Sequence, residues 1–595
     1  MPAKNPKPPV PATPWPLVSV YDLIKNRSNT MNKIRFLCAF AVLLLAVGLA
    51  GAQMTPRGGT VVVSDGEQLV GKNFNPYSAD PLNFTDRFIY ESMLIFNPVE
   101  GGAATPWLAT GYEYGDDLQS ISFTLREGVT WSDGEAFDAE DVAFTFNMFF
   151  EQPATDTAAI AEFTDSVEIV DAMTVKFNLN RVYTLAHELI GSQVIVPEHH
   201  WSMVEGDLSF FLNEDPVGTG SMTTVADFNE QSYTLCRNEG YWQMDEHGEQ
   251  LPYVDCIRQV LFQGNDPANL ALINGDLDWV GNFVPDIEQT FIAENPDKHY
   301  YYFWPGGATV QLYPNTSMAP YSDVHFRRAL SMAIDYDAVT SIGMYGYTTP
   351  ANAVGLGPRY NVWVSDDALA MADEMGQTRY NPEGAMALLD EAGYVDSDGD
   401  GIRNMPDGGD NISFKVQVVN GWTDWVTSVQ IMSQNFQDIG LDATVITPDF
   451  GAWFAALQNG TYDVSIGWGT AGNTPYNYFR NLLLSDLISE AGVANAETWS
   501  RWTSDEADAL LSAFTETADM DAHMDIVNQL QMLYVENMPA IPLFPGPTWY
   551  EHTTYRFTGF PVEDNYYAQG SPWERNSASI VINRIHCVDD MACGQ

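Results

Sequence analysis

The sequence predicts an α/β fold built from more than one domain, and three observations lead to this prediction. The chain has 595 residues, which is more than one hydrophobic core usually serves. Helical and strand-like patterns alternate between residues 423 and 468, as they do in α/β sheets. Residues 121–150 have the pattern of a strand, a turn and a capped helix. Hydrophobic residues make up 45% of the chain, which is typical of a packed globular protein.

The most specific local pattern is the strand, turn and helix of residues 121–150. Ile121, Phe123 and Leu125 alternate with polar residues, which is the period of a half-buried strand. Asp138 is placed to cap the following helix, with Asp141 in its first turn. One face of that helix then carries four apolar residues: Val142, Phe146, Phe149 and Phe150. The segment lacks catalytic residue types, so we interpret it as scaffold.

The second half of the chain shows the alternation most clearly. The spacing predicts a helix that stops at Gly440, a strand over 441–447, a helix over 450–457 and a strand over 462–468. Ligands of such sheets gather outside the carboxyl ends of the strands. Trp468 and the loop 469–475 lie at such an end, which makes them candidates for a binding site.

Three segments together resemble a known family. They are residues 125–142, Pro216–Gly220 and Asn315–Asp335, although Ser221 stands where the family usually has proline. In order and spacing they are similar to the family 5 extracellular solute-binding proteins, the binding components of bacterial ABC importers for peptides, nickel and oligosaccharides. The resemblance covers roughly residues 57–550.

The resemblance implies a two-lobed periplasmic-binding-protein fold of type II, with an inserted subdomain and a ligand cleft between the lobes. It assigns 53–95, 210–308 and 550–595 to lobe I, 96–209 to its inserted subdomain, and 309–549 to lobe II. It also implies a protein that binds without catalysing a reaction, closes its lobes on a ligand and docks on a membrane permease. We expect it to be a monomer.

Residues 1–52 are predicted to be an upstream extension and a signal peptide. Lys33 and Arg35 precede the apolar run 36–50, and the small residues Ala50–Ala52 suit cleavage. The apolar run is shorter than the ~20 residues of a membrane-spanning helix. Leu37 before Cys38 does not suit a lipoprotein processing site. We therefore expect an exported protein, periplasmic or extracellular, without a lipid anchor.

The chain is strongly acidic, with a formal net charge of −53. This charge argues against nucleic acids and anionic membranes as partners. The acidic residues are spread along the chain, which favours a solvated acidic surface over a single cation site.

Four cysteines remain after the predicted signal peptide: Cys236, Cys256, Cys587 and Cys593. An even number in an exported protein predicts two disulfides, for which three connectivities exist. Pairing of sequence neighbours is the expected one. The alternative, a metal site, lacks close Cys/His spacing.

One loop matches the first half of a calcium-binding loop. Asp396, Asp398 and Asp400 alternate, and Asp407 occupies the twelfth position, where a longer glutamate is usual. The alternative interpretation is a polar turn between a helix and a strand. Calcium is the one cofactor that the sequence suggests, and we expect no other.

Six residues are our candidates for the ligand site. The tryptophans Trp304, Trp422, Trp425 and Trp468 are candidates for stacking on sugar rings, and Asn473 and Asp424 for polar contacts. The alternatives are that each indole is part of the core and that Asp424 caps a helix.

A missing acid distinguishes the two main ligand classes. In peptide-binding relatives, an aspartate in the loop after the Gly-Trp strand holds the peptide ammonium group, whereas residues 467–476 here contain no acid. Residues 421–425 and 448–450 resemble the oligosaccharide-binding branch instead. We therefore predict a β-linked, cellobiose-like oligosaccharide, with a peptide as the alternative. A secreted hydrolase is the hypothesis from another class, and no HExxH or GxSxG motif supports it.

Overall fold

The strands of the protein form two large sheets, a smaller four-stranded sheet and two short pairs. The computed structural model describes residues 55–66, 71–78, 80–377, 379–406, 408–489, 495, 497–589 and 591–593. The predicted extension and signal peptide, residues 1–52, lie outside the described residues. From Pro56 onwards the chain forms one compact unit.

In chain order the strands are β1 (Thr60–Ser64), β2 (Leu94–Phe96), β3 (Ala104–Pro106), β4 (Ala109–Tyr114), β5 (Ser120–Leu125), β6 (Thr164–Asp171), β7 (Thr174–Leu179), β8 (Met222–Asn229), β9 (Ser232–Arg237), β10 (Cys256–Val260), β11 (Trp279–Val280), β12 (His299–Tyr301), β13 (Thr309–Pro314), β14 (Ser413–Gln417), β15 (Asp442–Ile446), β16 (Val464–Trp468), β17 (Ile541–Pro545), β18 (Glu551–Thr553), β19 (Phe557–Thr558) and β20 (His586–Cys587).

The α-helices are α1 (Ala139–Glu151), α2 (Ala186–Gly191), α3 (Glu198–Trp201), α4 (Asn265–Ile273), α5 (Ile287–Thr290), α6 (Val324–Ala333), α7 (Tyr336–Ala338), α8 (Asp366–Glu374), α9 (Pro382–Glu391), α10 (Thr423–Asp438), α11 (Phe450–Asn459), α12 (Tyr476–Leu483), α13 (Asp505–Thr515), α14 (Met520–Asn537) and α15 (Arg575–Ile582).

The first large sheet has seven strands in the order β12-β18-β11-β1-β10-β9-β8. Strand β1 runs parallel to β10 and β11, and the other pairs are antiparallel. Cys236 and Cys256 lie opposite each other on β9 and β10 and form a disulfide. A second disulfide joins Cys587 and Cys593. The strands of this sheet fall within the segments 53–95, 210–308 and 550–595.

The second large sheet has five strands in the order β15-β14-β16-β13-β17. Strand β14 is parallel to β15 and β16, and helices α10 and α11 connect these strands as the alternating pattern predicts. Gly460 ends α11 with a φ of 65°, a left-handed conformation that glycine adopts without a steric penalty. All five strands lie between residues 309 and 549.

The four-stranded sheet, in the order β4-β5-β7-β6, carries the strand, turn and helix recognised in the sequence. Asp138 caps α1, and together with Asp141 it forms a capping box. Phe146 on the helix packs against Phe177 on β7 with 4.7 Å between ring centroids. The pattern at residues 121–150 therefore builds this sheet and its helix, as the sequence indicates.

Asp141 holds three donors at the base of α1. Its carboxylate accepts hydrogen bonds from Trp131 Nε1 at 2.9 Å, the Asp138 N–H at 3.1 Å and the Glu198 N–H at 2.9 Å. Asp141→Ala leaves these donors unsatisfied, so we expect it to lower the free energy of unfolding by about 2 kcal/mol or more. Urea denaturation checks this. Glu140→Ala changes an exposed acid of the same turn and is the matched control; equal losses in both variants would contradict the assignment.

Candidate ligand-binding cleft

A cavity of about 1080 Å³ lies between the two large sheets. In the described part of the chain, two segments cross from one sheet to the other, residues 302–308 and 546–550. They run side by side: the Gly546 N–H donates to the Ala308 carbonyl at 2.8 Å. Gly306, Gly307, Gly546 and Pro547 line the cavity, so these crossing segments form its floor.

The five-stranded side of the cavity presents a continuous group of aromatic rings, called here the aromatic wall: Trp422, Phe450, Phe454 and Trp468. Trp468 ends strand β16, and its indole lies nearly parallel to the Phe450 ring, with centroids 6.5 Å apart. The Phe454 ring is 5.8 Å away and Trp422 is 6.4 Å away. Trp422 and Trp468 are half-buried, so part of each ring faces the cavity.

The seven-stranded side contributes three further rings. Phe283 follows strand β11, Trp549 lies on a crossing segment, and Trp573 precedes helix α15. Phe283 and Trp549 contact each other with centroids 5.4 Å apart. Apolar faces therefore line the cavity from both sheets.

Trp425 and Trp453 lie behind the aromatic wall. Trp425 is 7% exposed and packs on Trp422 with centroids 5.1 Å apart. Trp453 is fully buried, and its Nε1 donates to Ser465 Oγ at 3.1 Å. Trp425 lines the cavity with a small part of its surface, and Trp453 supports the wall from within the core.

Trp304, one of the predicted stacking residues, lies beside the cavity floor. Its indole lies on the crossing segment and covers Gly306, and it is absent from the residues that line the cavity in the described part of the chain. The guanidinium of Arg359 lies 5.5 Å from its ring centroid. Trp304 therefore packs beside the floor and beside Arg359, and its role in stacking on a ligand stays a prediction.

Asp424 lies at the edge of the cavity in the first turn of α10, with 4% of its surface exposed. Asn265 of the other sheet's domain donates from Nδ2 to Asp424 Oδ1 at 3.3 Å. Burial raises the pKa of Asp424 to about 6, and hydrogen bonds from the helix N–H groups and Asn265 oppose this rise. The carboxylate therefore joins the two sides of the cleft while it also accepts from N–H groups of its own first turn, although Trp422 is the residue at the N-cap position.

Two glycines allow the close approach at this edge. A Cβ atom on Gly264 would lie 2.7 Å from Gly421 Cα, and both residues have positive φ values. The Asn265 N–H donates to the Gly421 carbonyl at 2.9 Å. The two sides of the cleft touch here through backbone atoms.

Asn473 lies in the loop after β16, as the sequence predicts, and meets an acid from a distant segment. Glu188 on α2 accepts a hydrogen bond from Asn477 Nδ2 at 2.9 Å. Burial raises the pKa of Glu188, while hydrogen bonds from Asn473 and Asn477 and the charge of Arg359 oppose the rise. The loop 467–476 has no acid of its own, but the fold supplies one.

Several lining residues are missing from the sequence-based candidates. Asp65 follows strand β1, and Asn282 and Phe283 follow strand β11, which is parallel to β1. Ligands of such sheets gather at the carboxyl ends of the strands, so this rule could have identified all three residues. The same rule does not find Glu188, Arg359 and Glu574, because none of them follows a strand. Glu188 lies on α2, Arg359 lies in a short 3₁₀ helix, and Glu574 directly precedes α15.

The acidic loop at 396–400 is exposed and distant in sequence from the lining residues. Carboxylate oxygens of Asp396, Asp398 and Asp400 lie within 4.8 Å of one another. They accept hydrogen bonds from N–H groups of their own loop, including Gly399 to Asp396 at 2.7 Å. Asp407, the fourth predicted ligand, lies outside the described residues. Calcium binding stays a prediction.

The chain matches the family described as "Bacterial extracellular solute-binding proteins, family 5 Middle" over residues 103–489, which is well over half of its length. The chain belongs to this family. It has the two-lobed fold of periplasmic binding proteins, with the cleft between its lobes. In the described part of the chain, each helix is too short or too polar to cross a membrane.

Curated and solved relatives agree with this assignment. The chain is 23% identical to the nickel-binding periplasmic protein of Escherichia coli over 76% of this chain and 86% of that protein. It is 24% identical to a dipeptide-binding protein of Pseudomonas aeruginosa, over 86% and 93% of the two chains. A periplasmic oligopeptide-binding protein of an oligopeptide ABC transporter from Thermotoga maritima, solved with mannohexaose bound, superposes with a TM-score of 0.83 at 24% identity, over 89% and 99% of the chains.

We expect Asp424 to make the stability of this solute-binding protein dependent on pH. The unfolded carboxyl titrates near 3.8 and the folded one near 6, so the folded state holds the proton more tightly. The contribution of Asp424 to stability is therefore highest at low pH and falls as the pH rises through this window. The free energy of unfolding of Asp424→Asn, taken relative to that of the parent, should therefore increase by ~2 kcal/mol between pH 4 and pH 7.

Urea denaturation at several pH values measures this difference. Asp438→Asn alters an exposed acid near the other end of α10 and should show no such growth. A pH-independent difference for Asp424→Asn would show that Asp424 is ionised in the folded protein.

The calcium prediction has a direct test. If the acidic loop binds calcium, millimolar Ca²⁺ should raise the midpoint of thermal unfolding, and Asp398→Ala should abolish the rise because a hard cation needs several oxygen ligands. Absence of any response to Ca²⁺ in the parent protein would rule the site out.

Proposed function

We propose that the protein captures a short, neutral oligosaccharide in its cleft and delivers it to a membrane permease of an ABC importer. One observation carries the choice of ligand: the aromatic wall lies in the same cavity as a set of side-chain amides, namely Asn265, Asn282, Asn473, Asn477, Asn481 and Gln569. A sugar ring presents an apolar C–H face together with hydroxyl groups at its edge. Rings of the wall suit the face, and amides suit the hydroxyls because each amide donates and accepts.

The size of the cavity supports an oligomeric solute. Binding sites for small molecules usually enclose roughly 300–1,000 Å³, and this cavity, at about 1080 Å³, is slightly larger than that range. The Thermotoga maritima protein with the same fold contains mannohexaose, a ligand of six rings. A linked series of sugar rings would extend from the aromatic wall towards the rings on the opposite side.

A peptide is the second candidate, and the names of the relatives favour it. Several curated relatives are named for peptides, and others for nickel and heme. Glu188 and Arg359 also place one charge of each sign in the cavity, which a peptide with two charged ends could use. By relatives' names alone, the peptide is the better supported ligand.

We infer that the protein acts by binding and not by catalysis. It belongs to a family of solute-binding proteins, and the lobes of such proteins close on a ligand by a hinge motion. The two antiparallel crossing segments are the natural hinge here. We also infer export, since the Escherichia coli relative is named as a periplasmic protein.

Titration calorimetry with cellohexaose, mannohexaose and peptides of two to nine residues tests the ligand class. We expect at least one hexasaccharide to bind and the peptides not to bind. The cleft tryptophans should report the same event as a shift in fluorescence. Binding of peptides without binding of either sugar would replace the oligosaccharide proposal with the peptide one, and release of shorter sugars over time would contradict a pure binding role.

The same titrations, repeated with variants of the aromatic wall, test whether the bound sugar lies against it. Trp422→Ala and Trp468→Ala should each weaken binding by at least ~1 kcal/mol if the indoles stack on sugar rings. Trp502→Ala removes a half-buried indole that does not line the cavity and should leave the affinity unchanged. A loss of stability in the wall variants with unchanged affinity would assign these rings to the core.

A further inference from the structure

Three charged side chains from separate parts of the chain line the cavity, and the charge of Arg359 acts on both of the acids, so we call the three the charged corner. Arg359 comes from the five-stranded domain, Glu188 from helix α2, and Glu574 from the residue before α15. This charged corner lies beside Asn473, at the end of the short loop that starts at Trp468, so it is connected to the aromatic wall.

The guanidinium of Arg359 is held in place without using its donors. It lies 5.5 Å from the ring centroids of both Trp304 and Tyr360. Tyr360 is itself fixed, because its hydroxyl donates to the Gly472 carbonyl and accepts from the Gly472 N–H, both at 2.7 Å. Within the described residues, Arg359 forms no ion pair and donates no side-chain hydrogen bond. Its fork of N–H groups is therefore available in the cavity.

The two carboxylates are close to Arg359 but do not pair with it. Glu574 accepts a hydrogen bond from Gln569 Nε2 at 3.1 Å, and Glu188 accepts from Asn477. Burial raises the pKa of Glu574 to about 7, and the nearby charges of Arg359 and Arg87 oppose the rise. Each carboxylate has about four acceptor positions, so both retain acceptors for a ligand.

The combination of charges restricts what can occupy this corner. A ligand carboxylate would bind Arg359 but would meet two acids, and a ligand ammonium would bind the acids but would meet the guanidinium. A hydroxyl group meets neither penalty, because it accepts from the guanidinium and donates to a carboxylate in the same position. Two adjacent hydroxyls match the two-pronged guanidinium and give one hydrogen atom to each acid.

We propose that Arg359, Glu188 and Glu574 form a subsite for two neighbouring hydroxyl groups of the bound solute, a vicinal diol. This proposal rests on the proposed function, because a sugar supplies such a diol. It goes further by assigning one ring of the ligand to the charged corner, while other rings lie on the aromatic wall. Charged hydrogen bonds to hydroxyls then distinguish sugars that keep this diol from acidic or basic analogues.

Titration of cellohexaose and mannohexaose into three variants tests the subsite. Arg359→Met keeps an unbranched apolar stem beside Trp304 but removes the donors, and we expect it to weaken binding by about tenfold or more. Glu574→Gln keeps the shape but loses the charge and should weaken binding about fivefold or more. Arg379→Met replaces an arginine that is 68% exposed and paired with Asp373, and it should bind as the parent does.

Two further measurements separate recognition from structural support. The midpoints of thermal unfolding without sugar should be the same for Arg359→Met and Arg379→Met, and Arg359→Lys should recover part of the lost affinity. Hexagalacturonate, which adds a carboxylate to each ring, should bind the parent more weakly than the neutral hexasaccharides. A stronger affinity for hexagalacturonate would overturn the diol assignment.

The possible failures can be told apart. If the parent binds a hexasaccharide and Arg359→Met binds it within about twofold, the subsite is wrong and the oligosaccharide function stands. If the parent binds peptides and neither hexasaccharide, the proposed function and the diol subsite are both overturned.

Discussion

The pair of crossing segments, residues 302–308 and 546–550, is the constraint on which the rest of the cleft depends. Gly307 and Gly546 allow these backbones to approach, since a Cβ on Gly307 would lie 2.1 Å from the Gly546 carbonyl oxygen. Strands β13 and β17 leave these segments on one side, and β12 and β18 on the other. Both sheets are anchored at the same two segments. One cavity is therefore lined by the floor, by the aromatic wall at the end of β16 and by the residues that follow β1 and β11.

The cleft concentrates carboxylates whose ionised form is unfavourable. Asp424 is buried and Glu188 and Glu574 are half-buried, and burial raises the pKa of each. Donors from across the cleft, such as Asn265 and Asn477, offset part of this penalty. A ligand that donates hydrogen bonds to these acids would offset more of this penalty. Burial of the acids is therefore less costly when such a ligand fills the cleft than when the cleft is empty.

The sequence predicts the elements around the aromatic wall well and the charged corner poorly. Trp422 and Trp468 lie at ends of regular, strongly periodic elements, so the alternating pattern is enough to place them at the cleft. The family resemblance suggests Trp304, but the direction of its ring depends on the local path of the crossing segment, which no periodicity records. Glu188 reaches the loop after β16 through contacts between residues almost 300 positions apart in the chain. The position of such an acid follows from the tertiary fold alone.

The segment that carries Glu188 also holds the domain of the four-stranded sheet against that of the five-stranded sheet. Near α2, the hydroxyl groups of Tyr183 and Tyr476 lie 3.0 Å apart, and the Thr184 N–H donates to the Thr515 carbonyl at 2.8 Å. Arg480, which is almost fully buried, donates to the Ala158 carbonyl at 3.0 Å. These contacts join the domain of the four-stranded sheet to that of the five-stranded sheet. Separating these two domains would break these contacts and move Glu188 away from the loop after β16. A solute that contacts Glu188 and Arg359 together would therefore help to hold the two domains against each other.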